Sequence, residues 1–143
     1  MVLRPVRAVR ATVVALEAVV ALSALGGGGS MIADPRGAMG LPTWMRERLP
    51  VVDTWLVPGV ALVVCNGVLP TVTAVAEVRG RAWPREWGHV TAGAVLLAWP
   101  VGETALFGYP LEGEPRWLRP GVAGAGVALV VLGLLLRRAA DLR

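Results

Sequence analysis

Four stretches of this chain are apolar for long enough to cross a bilayer, and short arginine-bearing segments separate them. The clearest, WLVPGVALVVCNGVLPTVTAVA from Trp55 to Ala76, has no charged side chain. As a helix rising about 1.5 Å per residue it spans roughly 30 Å, the thickness of a hydrocarbon core. The fourth, PGVAGAGVALVVLGLLL from Pro120 to Leu136, lies between Arg119 and the Arg137–Arg138 pair. The first (Ala11 to Ala33) and third (Gly88 to Leu111) carry one acid each, Glu17 and Glu103. Backbone groups in lipid must be satisfied within the segment, so such runs form helices. The expected fold is all-α: one integral membrane four-helix bundle over residues 1–143, running up-down-up-down. The spans are expected near 9–29, 54–77, 87–109 and 119–138, with an ordered outer loop over 30–53.

Four spans of this length use more than half of the 143 residues, which leaves no room for a separate soluble domain. The net charge of +4 does not point to nucleic acid, because the basic residues sit at span ends, where lipid headgroups and topology account for them. One Cys, Cys65, and one His, His89, exclude an intrachain disulfide and leave no cluster with metal-ligand spacing, so no metal or cofactor is expected. No nucleophile–base pair stands out either, so no catalysis is expected.

Orientation follows from the arginines. With the N-terminus inside, the cytoplasmic side holds Arg4, Arg7, Arg10, Arg79, Arg81, Arg85, Arg137, Arg138 and Arg143, nine of fourteen. The bias places both termini in the cytoplasm and the chain in the plasma membrane as a multi-pass protein. RPVRAVR followed by an apolar run and ALSALG also has the order of a signal peptide. Glu17 interrupts that run, however, and apolar character continues to Ile32, which favours a retained first helix.

Within the outer loop, Asp34-Pro35-Arg36-Gly37 has the residue types of a type I turn. LPTWMRERLP then reads as a short interfacial helix, capped by Thr43, with Trp44, Met45 and Leu49 on its apolar side and Pro50 ending it. Trp44 and Trp55 are expected at headgroup level. The inner connection, Glu77 to Glu86, is basic and broken by Gly80 and Pro84. The second outer loop carries Glu112 and Glu114 beside Arg116 and Arg119.

Polar residues inside the spans are the candidate site. Glu17, near the middle of span one, costs on the order of 3 kcal/mol if left ionised in lipid, so it must face the bundle, be paired or be protonated. A proton-coupled carrier needs such a group; a helix-to-helix packing bond needs one too. Asn66 is the expected partner at the same depth, beside a carbonyl that Pro70 leaves without its i+4 donor. Glu103 follows Trp99 by four residues on one helix face, after a kink expected at Pro100. Trp99 and Glu103 either line an outward-facing pocket for a cationic or amphipathic ligand, or Glu103 pairs with Arg116 or Arg119. His89 reads as an interfacial anchor. Gly121 with Ala125 and Gly124 with Ala128 read as small-xxx-small packing pairs, and the Gly26–Gly29 run has the same potential.

Three segments, GGGGSMIADPRGAMGLP, VDTWLVPGVALVVCNG and AWPVGETALFGY, resemble a family of small bacterial four-span membrane proteins. In these a D-P-x-G turn and G-x-P follow the first span and P-G opens the second. The resemblance covers roughly residues 26–109 and implies the four-span fold without any particular chemistry. The chain is also similar to small multidrug exporters in one respect, an acid in the first of four spans at a position like Glu17; its long first outer loop departs from them. Two functions are therefore expected. One is a non-catalytic structural or accessory subunit, or a binder of lipid or small amphipathic ligands. The other is a proton-coupled carrier using Glu17, with Asn66, Trp99 and Glu103 as further site residues, working as a homodimer or with a membrane-complex partner.

The orientation has a direct check. Arg36→Cys should react with an impermeant thiol reagent in intact cells; labelling only after lysis would reverse the topology.

Overall fold

The computed structural model describes residues 3–37, 40–50, 53–109 and 114–142. Among the described residues five helices follow one another: α1 (Leu3–Ala33), α2 (Thr43–Glu47), α3 (Leu56–Val78), α4 (Pro84–Phe107) and α5 (Leu118–Asp141). Four of them, α1, α3, α4 and α5, are long and apolar enough to cross a membrane. Each packs on two neighbours, α1 on α3 and α5 and α4 on the same two, so α1 and α4 stand diagonally across the bundle. Neighbours run antiparallel: Arg10 meets Glu77 at one end of the α1–α3 contact while Gly28 meets Gly59 at the other.

The helices begin and end for local reasons. At the end of α3, Gly80 takes φ +73°, the Gly80 N–H donates to the Glu77 carbonyl and the Arg81 N–H to the Ala76 carbonyl. That paired bonding closes a helix end with a left-handed glycine. Two stretches are π-helical, Val63–Val68 in α3 and Pro84–Gly88 at the start of α4. The first precedes Pro70, whose missing N–H loosens the ladder there. The Thr71 hydroxyl donates to the Gly67 carbonyl at 2.8 Å in the same turn.

Close packing rests on glycines that differ from the expected set. A Cβ at Gly124 would meet nothing within 4 Å, and one at Gly121 only the Trp117 ring at 3.8 Å. Both glycines face outward. The α4–α5 contact is instead made by Gly93 and Gly126, where a Cβ on Gly93 would lie 2.7 Å from the Gly126 carbonyl oxygen. The helical stagger of span four puts Gly126, Leu129, Gly133 and Leu136 on the buried face, on the opposite side of the helix from Gly124. Of the Gly26–Gly29 run, Gly28 is the contact residue: its Cβ would fall 2.7 Å from the Gly59 carbonyl. The run continues α1 through Ala33 rather than ending it.

The outer segment folds back over the bundle. The Gly37 N–H donates to the Asp34 carboxylate at 3.0 Å, and the Trp55 N–H to the Pro35 carbonyl at 2.8 Å. Arg46 bridges the Asp53 carboxylate and the Arg36 carbonyl, both at 2.9 Å. Pro42, not Thr43, occupies the N-cap of α2, and no side chain caps it. Met45 packs with Trp55 and Phe107 in a small apolar cluster. Trp55 is thus buried beneath this segment, while Trp44 remains half-exposed with Arg48 over its ring. Glu112 lies outside the described residues.

Gly93→Leu should lower the melting midpoint in detergent, at a cost of about 1–3 kcal/mol for overpacking, and Gly124→Leu should leave it unchanged. Equal effects of the two would contradict the α4–α5 contact.

Candidate functional site

The buried face of α1 is a narrow stripe, Val13, Glu17, Ala21, Ala24 and Gly28, spaced by four and three residues. Ala21, Ala24 and Gly28 are small, so α1 lies tightly on α3 in its outer half, and Glu17 is the one long polar side chain of the stripe. On α3 the matching stripe is Asn66, Pro70, Thr73 and Glu77. On α4 it is His89, Ala92 or Gly93, Leu96 and Pro100.

Glu17 meets His89, not Asn66. His89 Nδ1 lies 2.8 Å from Glu17 Oε1, and both residues are wholly buried (0% exposed). Two glycines allow the imidazole to reach the bundle axis. Gly88 seats α4 on α3, where an added Cβ would lie 2.8 Å from the Thr73 methyl, and a Cβ on Gly133 of α5 would lie 3.0 Å from His89 Cβ. His89 therefore sits inside the bundle and is no interfacial anchor. Its second nitrogen, Nε2, is 3.5 Å from Glu77 Oε2.

Asn66 is equally buried, but both polar atoms of its amide lack a partner among the described residues. Its neighbour Gly67 packs on Leu25. That register sets Asn66 about two helical turns outward of Glu17, some ~12 Å along the axis. The two groups do not share a depth, as the sequence suggested.

Glu77 is the residue the sequence placed in the inner connection; it belongs to the last turn of α3 and is 1% exposed. Arg10 Nε donates to its carboxylate and Arg10 Nη2 to its carbonyl at 3.1 Å. Arg85 Nε donates to both carboxylate oxygens at 3.1 Å. The set Glu17, His89, Glu77, Arg10 and Arg85 thus runs from the bundle interior to its arginine-rich end. With both carboxylates ionised and His89 neutral its charge sums to zero, and one added proton takes it to +1 whether Glu17 or His89 holds it. Glu17 Oε2 and His89 Nε2 have no hydrogen-bond partner among the described residues. No group of three or more His, Cys, Asp and Glu side chains among the described residues is placed to hold a metal ion. Glu77 is already engaged by two guanidinium groups.

Glu103 and Trp99 come together at the outer end, where Trp99 Nε1 donates to Glu103 Oε1 at 3.0 Å. Arg119 lies beside them: its Nε is 3.9 Å from Glu103 and donates to Glu114 at 3.0 Å, while its Nη1 donates to the Gly108 carbonyl and the Thr104 hydroxyl. The adjoining cavity, about 320 Å³, is lined by Arg119, Pro100, Thr104 and Tyr109 among others, and not by Trp99 or Glu103. A buried guanidinium at this spot opposes a cationic ligand. The four expected site residues therefore divide into an inner position (Glu17), an intermediate one (Asn66) and an outer pair (Trp99 with Glu103).

The sequence did hold a signal for the two missed residues. Glu77 continues the spacing Asn66, Pro70, Thr73 by one more step, and His89 begins the stripe that Gly93, Leu96 and Pro100 continue. Assigning Glu77 to the inner connection and counting His89 as interfacial hid both.

No protein-family model matches the chain, and no solved structure matches it. Among curated proteins, the iron permease EfeU of Bacillus subtilis is 32% identical over 115 residues. The similar region is 78% of this chain but only 22% of the permease, so the chain spans about a fifth of the length of the relative it matches.

Proposed function

We propose that this chain is a non-catalytic membrane unit of a transport system, and that its buried Glu17–His89 pair takes up and releases a proton through Glu77 during cargo movement. The observation that carries this reading is the enclosed acid–imidazole contact across the bundle, continuous with a carboxylate at the arginine-rich end. Ionisable groups inside membrane segments are costly and concentrate on ion and proton pathways. His and Glu together can hold one proton on either partner, which suits a relay. The similarity to an iron permease supports transport as the class, and makes iron the first cargo to test. Four helices enclose little volume, so cargo would pass between two copies of the chain or between it and other membrane helices. In this reading both termini are cytoplasmic, and Glu77 faces the cytoplasm.

A second reading has a specific observation behind it. Glu17 and His89 are wholly buried, and neither lines a surface cavity such as the groove at Glu77. A dry contact of this kind also serves a structural or accessory subunit, in which the pair only fixes helix positions.

One variant separates the two. In proteoliposomes holding a trapped fluorescent chelator, ferrous iron uptake should accelerate under an acid-outside pH gradient. Glu17→Gln keeps shape and an amide but removes the proton, and should bring uptake down to that of empty vesicles. A Gln variant with unchanged gradient-driven uptake overturns the relay. The structural reading is then favoured if Glu17→Ala lowers the melting midpoint by leaving His89 unpaired.

A further inference from the structure

The geometry points to a binding site for an anionic phospholipid on the α1–α3 face, with one acyl chain in an apolar groove and the headgroup phosphate between Arg7 and Arg79. The groove, about 480 Å³, runs between the two helices and is walled by Ala18, Leu22 and Leu25 of α1 and by Thr71, Ala74 and Val75 of α3. Val14 and Val78 close its inner end. The same two valines begin a second depression of about 220 Å³ that also holds Arg7, Arg10 and Glu77. The two form one trough that is apolar along its length and basic at its mouth.

Helical spacing builds this shape. Arg7, Val14, Ala18, Leu22 and Leu25 recur on one side of α1 at intervals of seven, four, four and three residues, so the arginine stands at the end of the stripe that walls the groove. On α3, Thr71, Val75 and Val78 form the opposite wall, and Arg79 follows directly and also lines the groove. Ala18 supplies the narrow waist in which a chain can lie between larger neighbours. Only a long thin apolar molecule with a charged end fits both parts.

Charge decides the headgroup. Glu77 is the acid of the trough, and it is engaged by Arg10 and Arg85. Arg7 and Arg79 are exposed at the same end and leave an excess of positive charge there. Basic pockets between membrane helices at the cytoplasmic side attract anionic headgroups, and each arginine contributes about a fivefold gain in affinity. A zwitterionic lipid brings its own cation to the site and gains little. The trough shares Glu77 with the proposed proton relay, while neither Glu17 nor His89 lines it, so lipid retention is read separately from proton-driven uptake.

Native mass spectrometry of the purified full chain in detergent, with phosphatidylglycerol and phosphatidylcholine supplied equally, tests the assignment without any variant. Phosphatidylglycerol should be retained about tenfold or more over phosphatidylcholine, and should raise the melting midpoint where phosphatidylcholine does not. Arg7→Ala with Arg79→Ala should abolish the preference, and Ala18→Phe, which fills the waist, should abolish retention. Equal retention of the two lipids, or a preference that survives the double arginine change, overturns the site. A melting shift produced by inorganic phosphate alone assigns the arginines to a soluble anion and likewise overturns it. So does a lipid-free dimer that Ala18→Phe dissociates, because the groove is then covered by a second copy of the chain.

Discussion

A carboxyl group in the middle of a membrane helix has no water to turn to, and everything around Glu17 follows from that. An unpaired charge at this depth costs on the order of 3 kcal/mol, whereas a hydrogen bond between membrane helices averages about 0.6 kcal/mol. The value of the Glu17–His89 contact is therefore the penalty it avoids more than the bond it gains. Because the two residues stand on diagonally opposed helices, the contact is made only if all four spans close in. Gly88 on Thr73 and Gly133 on His89 are where the backbones come near enough for that. The pair thus selects one register for the bundle, a role that generic apolar contacts such as Val13 with Leu129 do not fill alone.

Polar groups elsewhere are sorted to the two ends. At the arginine-rich end Glu77 is held by Arg10 and Arg85; at the other, Arg119 is held by Glu114, Thr104 and the Gly108 carbonyl. Each set locks a helix end to a neighbouring segment. Between them lies Asn66, buried within the π-helical stretch of α3 with its amide unpartnered among the described residues. The inner set alone connects to a titratable pair in the interior, which is why the proton reading is centred there.

The architecture was legible in the sequence because lipid leaves few choices. Four long apolar runs must be helices, and short connections must make neighbours antiparallel. What touches what inside the bundle was less legible. Asn66 was paired with Glu17 by counting from span ends, but the Leu25–Gly67 contact shifts it about two turns outward. Gly124 was read as a packing glycine from its spacing to Ala128, yet Gly126 lies on the contact face, although Val122 and Val130 at four residues either side give it no such spacing. His89 was missed because its burial depends on Gly133, forty-four residues away, and on the π-helical start of α4, neither of which has a local mark. The burial of Trp55 was not legible either, because the loop that covers it is a tertiary feature.

The central claim is that Glu17 and His89 act on one another across the bundle. Melting of the full chain in detergent, with Glu17→Met, His89→Leu and the two combined, measures this directly. Each single change leaves one buried polar group alone, whereas the double change removes both. The predicted result is a double variant more stable than the sum of the singles, by more than about 0.5 kcal/mol. Additive losses would contradict the contact and the register built upon it.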